Sequence, residues 1–271
     1  MARSGMAVVE EMTRDESVEA EAARSDPWAR QGTPVQVHAD RSGAIQAIHV
    51  GGILALAAER DLVCDLRQTV GDFVISGAVL ADLFGSTDPT DSRRMRGMIA
   101  LGHERTIDQD PAFAIRIVVD IAIRALSPAV NDPTTATQMI NHIGALLTAI
   151  GSHDQRGRGV YVDQDGAVRL TVPTRCWQDY LELGVSEIRQ YGATSPQVCR
   201  RLRALLVDLE ATVLPVNASE VADQLLRLDR SVIESFSDAD ERQFAMAEDR
   251  QGVGGASRSG TRPGDHTGPG A

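Results

Sequence analysis

A chain of 271 residues with 42% hydrophobic side chains can bury a real core as one large domain or two small ones, and with only 4% aromatic residues that core must be aliphatic. The formal net charge of −11 argues against broad nucleic-acid binding, which needs a basic footprint. The sequence holds no lysine, so all 27 basic residues are arginine. That excludes a lysine Schiff base, a P-loop lysine and a biotinyl- or lipoyl-lysine.

Three cysteines, Cys64, Cys176 and Cys199, lie far apart with no C-x-x-C spacing and read as reduced thiols. No apolar run reaches the ~20 residues of a membrane span. Residues 1–33 are polar and acidic, lack the apolar stretch of a signal peptide, and read as a disordered leader.

From 34 to 86 the pattern is short strands and turns around one helix, a small β-rich module. "VQVHAD" alternates, "GAIQAIHV" follows a Ser42-Gly43 turn, and "GILALAAERD" makes a helix of about two turns. "LVCDLRQ" sets Leu62, Cys64 and Leu66 against Val63, Asp65 and Arg67. "VGDFVISGAVLADLF" turns at Gly71-Asp72 and Ser76-Gly77. This rhythm predicts a barrel or sandwich. The two glycine turns resemble those of biotinyl and lipoyl carrier half-barrels, but without lysine only a scaffold or docking role survives.

From 87 to 237 a helical domain is expected. Asp88-Pro89 or Asp91 caps a helix through about Leu101. Asp110-Pro111 caps the next, over 111–127, and Asp132-Pro133 a third, over 133–150. In each the carboxylate accepts from free helix amides, and proline needs no partner at the first position. A hairpin near 159–172 is inserted, with "DQDG" as its turn. Three amphipathic helices follow over 175–191, 196–214 and about 218–237. Residues 238–271 read as a disordered Gly/Ser/Arg-rich tail. Its "GVGG" is no dinucleotide fingerprint, because no strand precedes it and no helix follows.

The 111–127 helix is apolar apart from Arg116, Asp120 and Arg124, which fall at i, i+4 and i+8 on one face. The rest is so greasy that burial on most sides is expected, and buried charges need partners. Asp120 can pair with both arginines, leaving one positive charge over. "GHERTIDQD" supplies Glu104, Arg105, Asp108 and Asp110 nearby. Two readings stay open. One is an ion-pair network that orients helices. The other is an anion site in which Arg124 faces the start of the 133–150 helix, whose free amides and Thr134/Thr135 hydroxyls suit a phosphate or carboxylate. Asp132 competes for those amides as N-cap. A metal reading through His103, Glu104, Asp108 and Asp110 fits no standard spacing. His142 sits beside the apolar face of its helix, as a core-edge histidine does. The stripe Ala136, Met139, Ile140, Ile143, Leu146, Leu147 and Ile150 is core or a subunit interface.

The run "GHERTIDQDPAFAIRIVVDIAIRALSPAVNDPTTATQMINHI" resembles the signature of a bacterial family of predicted membrane proteins, domain of unknown function 2254. The upstream "GAIQAIHVGGILALAAERDLVCDLRQTVGDFVISGAVL" resembles the same family in the same order, so the likeness runs from about 35 to about 236. It implies that the characteristic polar residues are Arg105, Asp108, Gln109, Asp110, Asp120, Arg124, Ser127, Asn131, Asp132 and Thr134, and it brings no assigned activity. Two departures stand out. Family members usually carry transmembrane helices before this region, where this chain has the short acidic leader. A glycine common before the Asn-Asp pair is replaced by Ala129-Val130.

The expectation is an α+β protein: a small β-rich barrel- or sandwich-like module, then a mainly helical domain with an inserted hairpin. It is the soluble portion of that family standing alone, cytoplasmic or peripheral to the membrane, and it needs no cofactor. Its role is a non-enzymatic interaction or regulatory module. The partners expected are a second copy of the chain, or a membrane or membrane protein, and no nucleic acid. The alternative is a small-anion binder or enzyme built from Arg105, Asp108, Asp110, Arg116, Asp120, Arg124, Asn131, Asp132, Thr134 and Thr135.

Overall fold

Short apolar stretches bounded by turns set the strands of the first half, and only the first of them alternates between buried and more open residues. Val35–His38 (β1), Gly43–Ile48 (β2), Val63–Leu66 (β3), Phe73–Val74 (β4) and Val79–Phe84 (β5) surround one helix, Val50–Arg60 (α1). The computed structural model describes residues 32–254 apart from Thr87 and Asp108. The expected acidic leader up to residue 31 and the expected tail beyond residue 254 lie outside those residues.

A second helix, Pro89–Arg96 (α2), starts where Asp88 accepts from the Thr90 amide at 2.8 Å. It stops earlier than its sequence suggests. Residues up to Leu101 were expected to be helical, but Gly97 caps α2 and Ile99–Gly102 forms a strand (β6). Ile99 and Leu101 alternate inward with period two, and β6 pairs antiparallel with β2.

Beyond it come Pro111–Ala125 (α3), Pro133–Gly151 (α4), Arg156–Val162 (β7), Val168–Cys176 (β8), Trp177–Gly192 (α5), Pro196–Thr212 (α6), Ala218–Ser235 (α7) and Ala239–Ala245 (α8). The content is α+β. Among the described residues the strands form two sheets, β1-β5-β3-β8-β7 and β4-β2-β6, with no closed barrel. Both sheets line one aliphatic core, in which Val37, Ile45, Ile53, Cys64, Leu83, Leu101 and Leu170 are buried together. A second core lies among α3–α8, from Ile115 and Val119 through Ile140, Leu147 and Val185 to Leu206 and Val232. Burial pushes the Cys64 thiol up to about 12 and the Cys199 thiol up to about 11, so both stay protonated and inert at neutral pH.

Two features differ from the sequence reading. The hairpin β7–β8 is not an insertion within the helical half. β8 lies parallel to β3, with Cys64 beside Leu170 and Asp65 beside Thr171, in the middle of the five-stranded sheet. Leu170 and Val172, two residues apart on the strand, both point into the β core. Chain leaving the helices therefore completes the β module and then returns as α5. The second difference is the segment after Phe236, expected to be disordered, whose residues 237–254 form a short helix and a strap. Asp238 caps α8 through the amides of Asp240 and Glu241. Asp249 then gathers the amides of Gln251, Gly252 and Gly254 at 3.1, 2.9 and 2.8 Å. The Gly252 carbonyl takes hydrogen bonds from Thr137 on α4 and Gln197 on α6. Arg200, almost wholly buried on α6, stacks 4.2 Å from the Phe244 ring centre. Polar composition suggested disorder because this strap is held by side chain-to-backbone bonds more than by apolar periodicity.

Candidate functional site

The segment that carries the family-like motif folds around the two ends of α3. At its start Asp110 is buried and caps the helix, accepting from the Phe113 amide at 3.0 Å. The carboxylate also meets the Gly71 turn of the β module. A Cβ on Gly71, whose φ is +91°, would stand 2.3 Å from Asp110 Oδ2. Burial pushes the Asp110 carboxyl above the ordinary aspartate range, against the pull of the Phe113 amide and the positive charges of Arg105 and Arg175. Tyr180 is buried beside this group, and desolvation raises its phenol well above the usual tyrosine range. Asp110 thus stands between the start of α3 and the Gly71 turn of the β module. Arg105 is exposed, with no ion pair among the described residues. Asp108 lies outside the described residues.

Along α3, Arg116 is closed by two carboxylates. Its Nε donates to Asp120 Oδ1 at 2.7 Å, and its two terminal nitrogens donate to Glu187 on α5 at 2.5 and 3.1 Å. The expected stripe exists, but it runs on the outside edge of the α3–α5 contact rather than in the interior. The Arg116, Asp120 and Glu187 side chains are 25%, 50% and 41% exposed. Ion pairs that open to water contribute at most about 1 kcal/mol each. Helix α3 buries a broad face through Ile115, Val118, Val119 and Ala122, not its whole circumference.

The corner after α3 is closed by its own backbone. Ser127 Oγ donates to the Arg124 carbonyl at 2.7 Å, and the Ser127 carbonyl accepts from the Val130 and Asn131 amides. The Asp132 amide reaches back to the Ala125 carbonyl at 2.8 Å. Asn131 makes the turn in the left-handed region, at φ 48°, which Asn tolerates better than most residues. Asp132 then caps α4, accepting from the Thr135 amide at 3.0 Å and the Thr135 hydroxyl at 2.5 Å. These bonds hold its carboxyl below the ordinary aspartate range, the hydroxyl bond first. The amide and hydroxyl that an anion would use are therefore already engaged by Asp132. Thr134 is exposed, and its carbonyl accepts from Thr137. Arg124 is exposed, with no ion pair among the described residues.

These residues fall into three places. Arg105 and Asp110 stand at one end of α3, Arg116 and Asp120 along its side, and Arg124, Asn131, Asp132, Thr134 and Thr135 at the other end. The 15 residues of α3 hold the outer groups about 22 Å apart. Among the described residues no group of three or more His, Cys, Asp or Glu is placed to hold a metal ion.

Sequence reasoning missed Glu187, which lies 71 positions from Arg116 with no local signal. It also missed a polar cluster on the five-stranded sheet. Asp65 on β3 and Asp82 on β5 are buried directly opposite one another. Thr171 Oγ1 donates to Asp65 Oδ1 at 2.7 Å, Arg158 donates to Asp65 as well, and Arg67 Nε donates to Asp82 at 2.7 Å. The signal was present: in "LVCDLRQ" Asp65 and Arg67 share the face opposite Cys64.

Among the described residues no helix is long and apolar enough to cross a membrane. No solved structure matches the chain. It is 31% identical over 234 residues to an uncharacterized protein of Mycobacterium bovis and, to the same extent, to an uncharacterized protein of Mycobacterium tuberculosis. Each alignment covers 84% of this chain and 45% of the relative, so the chain spans about half the length of the curated relatives it matches. Residues 2–208 match the family described as predicted membrane protein, domain of unknown function 2254. With three quarters of its length inside that match, and the Arg105–Thr135 segment within it, this chain belongs to the domain of unknown function 2254 family.

Proposed function

We propose that the chain is a non-enzymatic interaction or regulatory module of its membrane-protein family. One observation carries this reading: three of the motif's acidic side chains, Asp110, Asp120 and Asp132, are engaged in holding helices. Asp110 and Asp132 cap α3 and α4, and Asp120 with Glu187 closes Arg116. A catalytic or ligand-binding set needs its groups within a few ångströms of one reacting atom. Here a whole helix separates them.

A second reading rests on Arg105 and Arg124, exposed and without ion pairs among the described residues. It is a small-anion binder for phosphate or carboxylate, or an enzyme acting on such a group. A thermal-shift screen of inorganic phosphate, nucleotides and small carboxylates separates the two. The interaction module gives flat responses for the wild type and for Arg124→Ala alike. A saturable rise in Tm with one of these anions, lost in Arg124→Ala, overturns the first reading in favour of the second.

A further inference from the structure

Helix α7 buries Val221, Gln224, Leu228 and Val232 against the bundle. Its opposite face carries Ser219, Asp223, Leu226, Arg230 and Ile233, all exposed. These positions advance in alternating steps of four and three residues, the spacing of a coiled-coil seam. Leu226 and Ile233 are 60% and 55% exposed, more than a lone surface aliphatic needs explaining but aligned here on one stripe. Between and beside them Asp223 and Arg230 make no ion pair among the described residues.

We propose that this face of α7 docks antiparallel on α7 of a second copy of the chain. The order of charges selects both the occupant and its direction. About a two-fold axis beside Leu226, Asp223 lies just before the axis and Arg230 just after it. Each aspartate then meets the arginine of the other copy, while the Leu226 side chains pack together at the centre. A parallel pair in register would set Asp223 against Asp223 and Arg230 against Arg230, which like-charge repulsion disfavours. A two-fold contact needs one self-complementary patch, and this stripe is one. The neighbouring charges agree. Arg189 on α5 donates to Ser231 at 2.9 Å, yet its buried Nε lacks a partner, and it faces the positive charges of Arg227 and Arg230 with Glu234 opposing. The Asp223 of a second copy would bring a carboxylate to that cationic edge.

One helix pair about 27 Å long buries less than a standard interface, so a dissociation constant on the order of 1–100 μM is expected. Sedimentation equilibrium of the full chain reads it directly. Leu226→Asp weakens the dimer by about 100-fold or more, and Asp223→Arg, which sets Arg against Arg, by about 10-fold or more. The double variant Asp223→Arg/Arg230→Asp restores the wild-type constant, because the pairing is inverted and not lost. Circular dichroism and Tm show that each variant is folded. A wild type that stays monomeric through several hundred micromolar overturns the proposal, as does a dimer that Leu226→Asp leaves unchanged. A folded double variant that fails to recover overturns the antiparallel pairing. The proposal deepens the interaction-module reading but fails separately from it: a monomer with flat ligand responses removes only the dimer, and an anion response removes only the module reading.

Discussion

Trp177→Ala is expected to destabilise the protein by about 3–5 kcal/mol in equilibrium urea unfolding, the usual cost of deleting a buried indole. Trp177 is the first residue of α5 and 3% exposed. Its ring lies against the end of α4, where a Cβ added to Gly151 would stand 2.9 Å from two ring carbons, so the close approach depends on glycine there. The indole Nε1 donates to the Asn217 carbonyl at 3.0 Å, and Asn217 Nδ2 donates to the Gly151 carbonyl at 3.1 Å. The Leu214 amide joins the same carbonyl at 2.9 Å. One side chain thus ties the exit of the β hairpin, the end of α4 and the approach to α7. Alanine leaves a cavity and strips a buried carbonyl of its donor. Trp177→Phe keeps most of the ring and loses the donor, so it should cost less, about 1–3 kcal/mol. Equal losses for the two variants would contradict the assignment of most of the energy to packing.

Gly71→Ala is expected to cost about 3 kcal/mol, and its partner in that loss is Asp110. Two costs combine. A positive φ strains any residue with a Cβ, by roughly 1–2 kcal/mol. The new methyl also displaces the Asp110 carboxylate from the position in which it caps α3, a contribution of about 1 kcal/mol with a range to 2. The two are coupled, so Gly71→Ala in an Asp110→Ala background should cost distinctly less than in the wild type. Urea unfolding of the four proteins in that cycle measures the coupling. Additive losses would mean that the Gly71 turn and the α3 cap act independently.

The local grammar of this fold was legible in the sequence, and the long-range part was not. Asp88, Asp110 and Asp132 each precede a proline, and each caps a helix that begins at that proline. Strands β1 and β3 followed from alternation, and β2 and β5 from the glycine turns that precede them. The Arg116–Asp120 pair followed from i, i+4 spacing. The same spacing could not place the stripe at the outer edge of the bundle or supply Glu187. Strand β6 hid behind a polar helix, because four alternating residues after Gly97 are too few to register as a period. The destination of the hairpin was illegible for a topological reason: β8 pairs with β3 across 106 positions at Thr171 and Asp65. Only the complete sheet shows why Leu170 is apolar. In the candidate site, the residue types were readable and their convergence was not. Whether two ends of one helix meet is fixed by the rise of that helix, and α3 keeps them apart.

A residue-resolved phosphate titration of the folded chain, followed by amide chemical shifts in 15N-labelled protein, bears most directly on whether the motif corner is a structural cap or an anion site. Asp132 already accepts from the Thr135 amide and hydroxyl, and Arg124 points to water. With the corner acting as a cap, the Thr134, Thr135 and Arg124 signals move no more than those of other exposed residues, without saturating, as phosphate rises through the millimolar range. Saturating shifts confined to those three residues, and absent in Arg124→Ala, would contradict it.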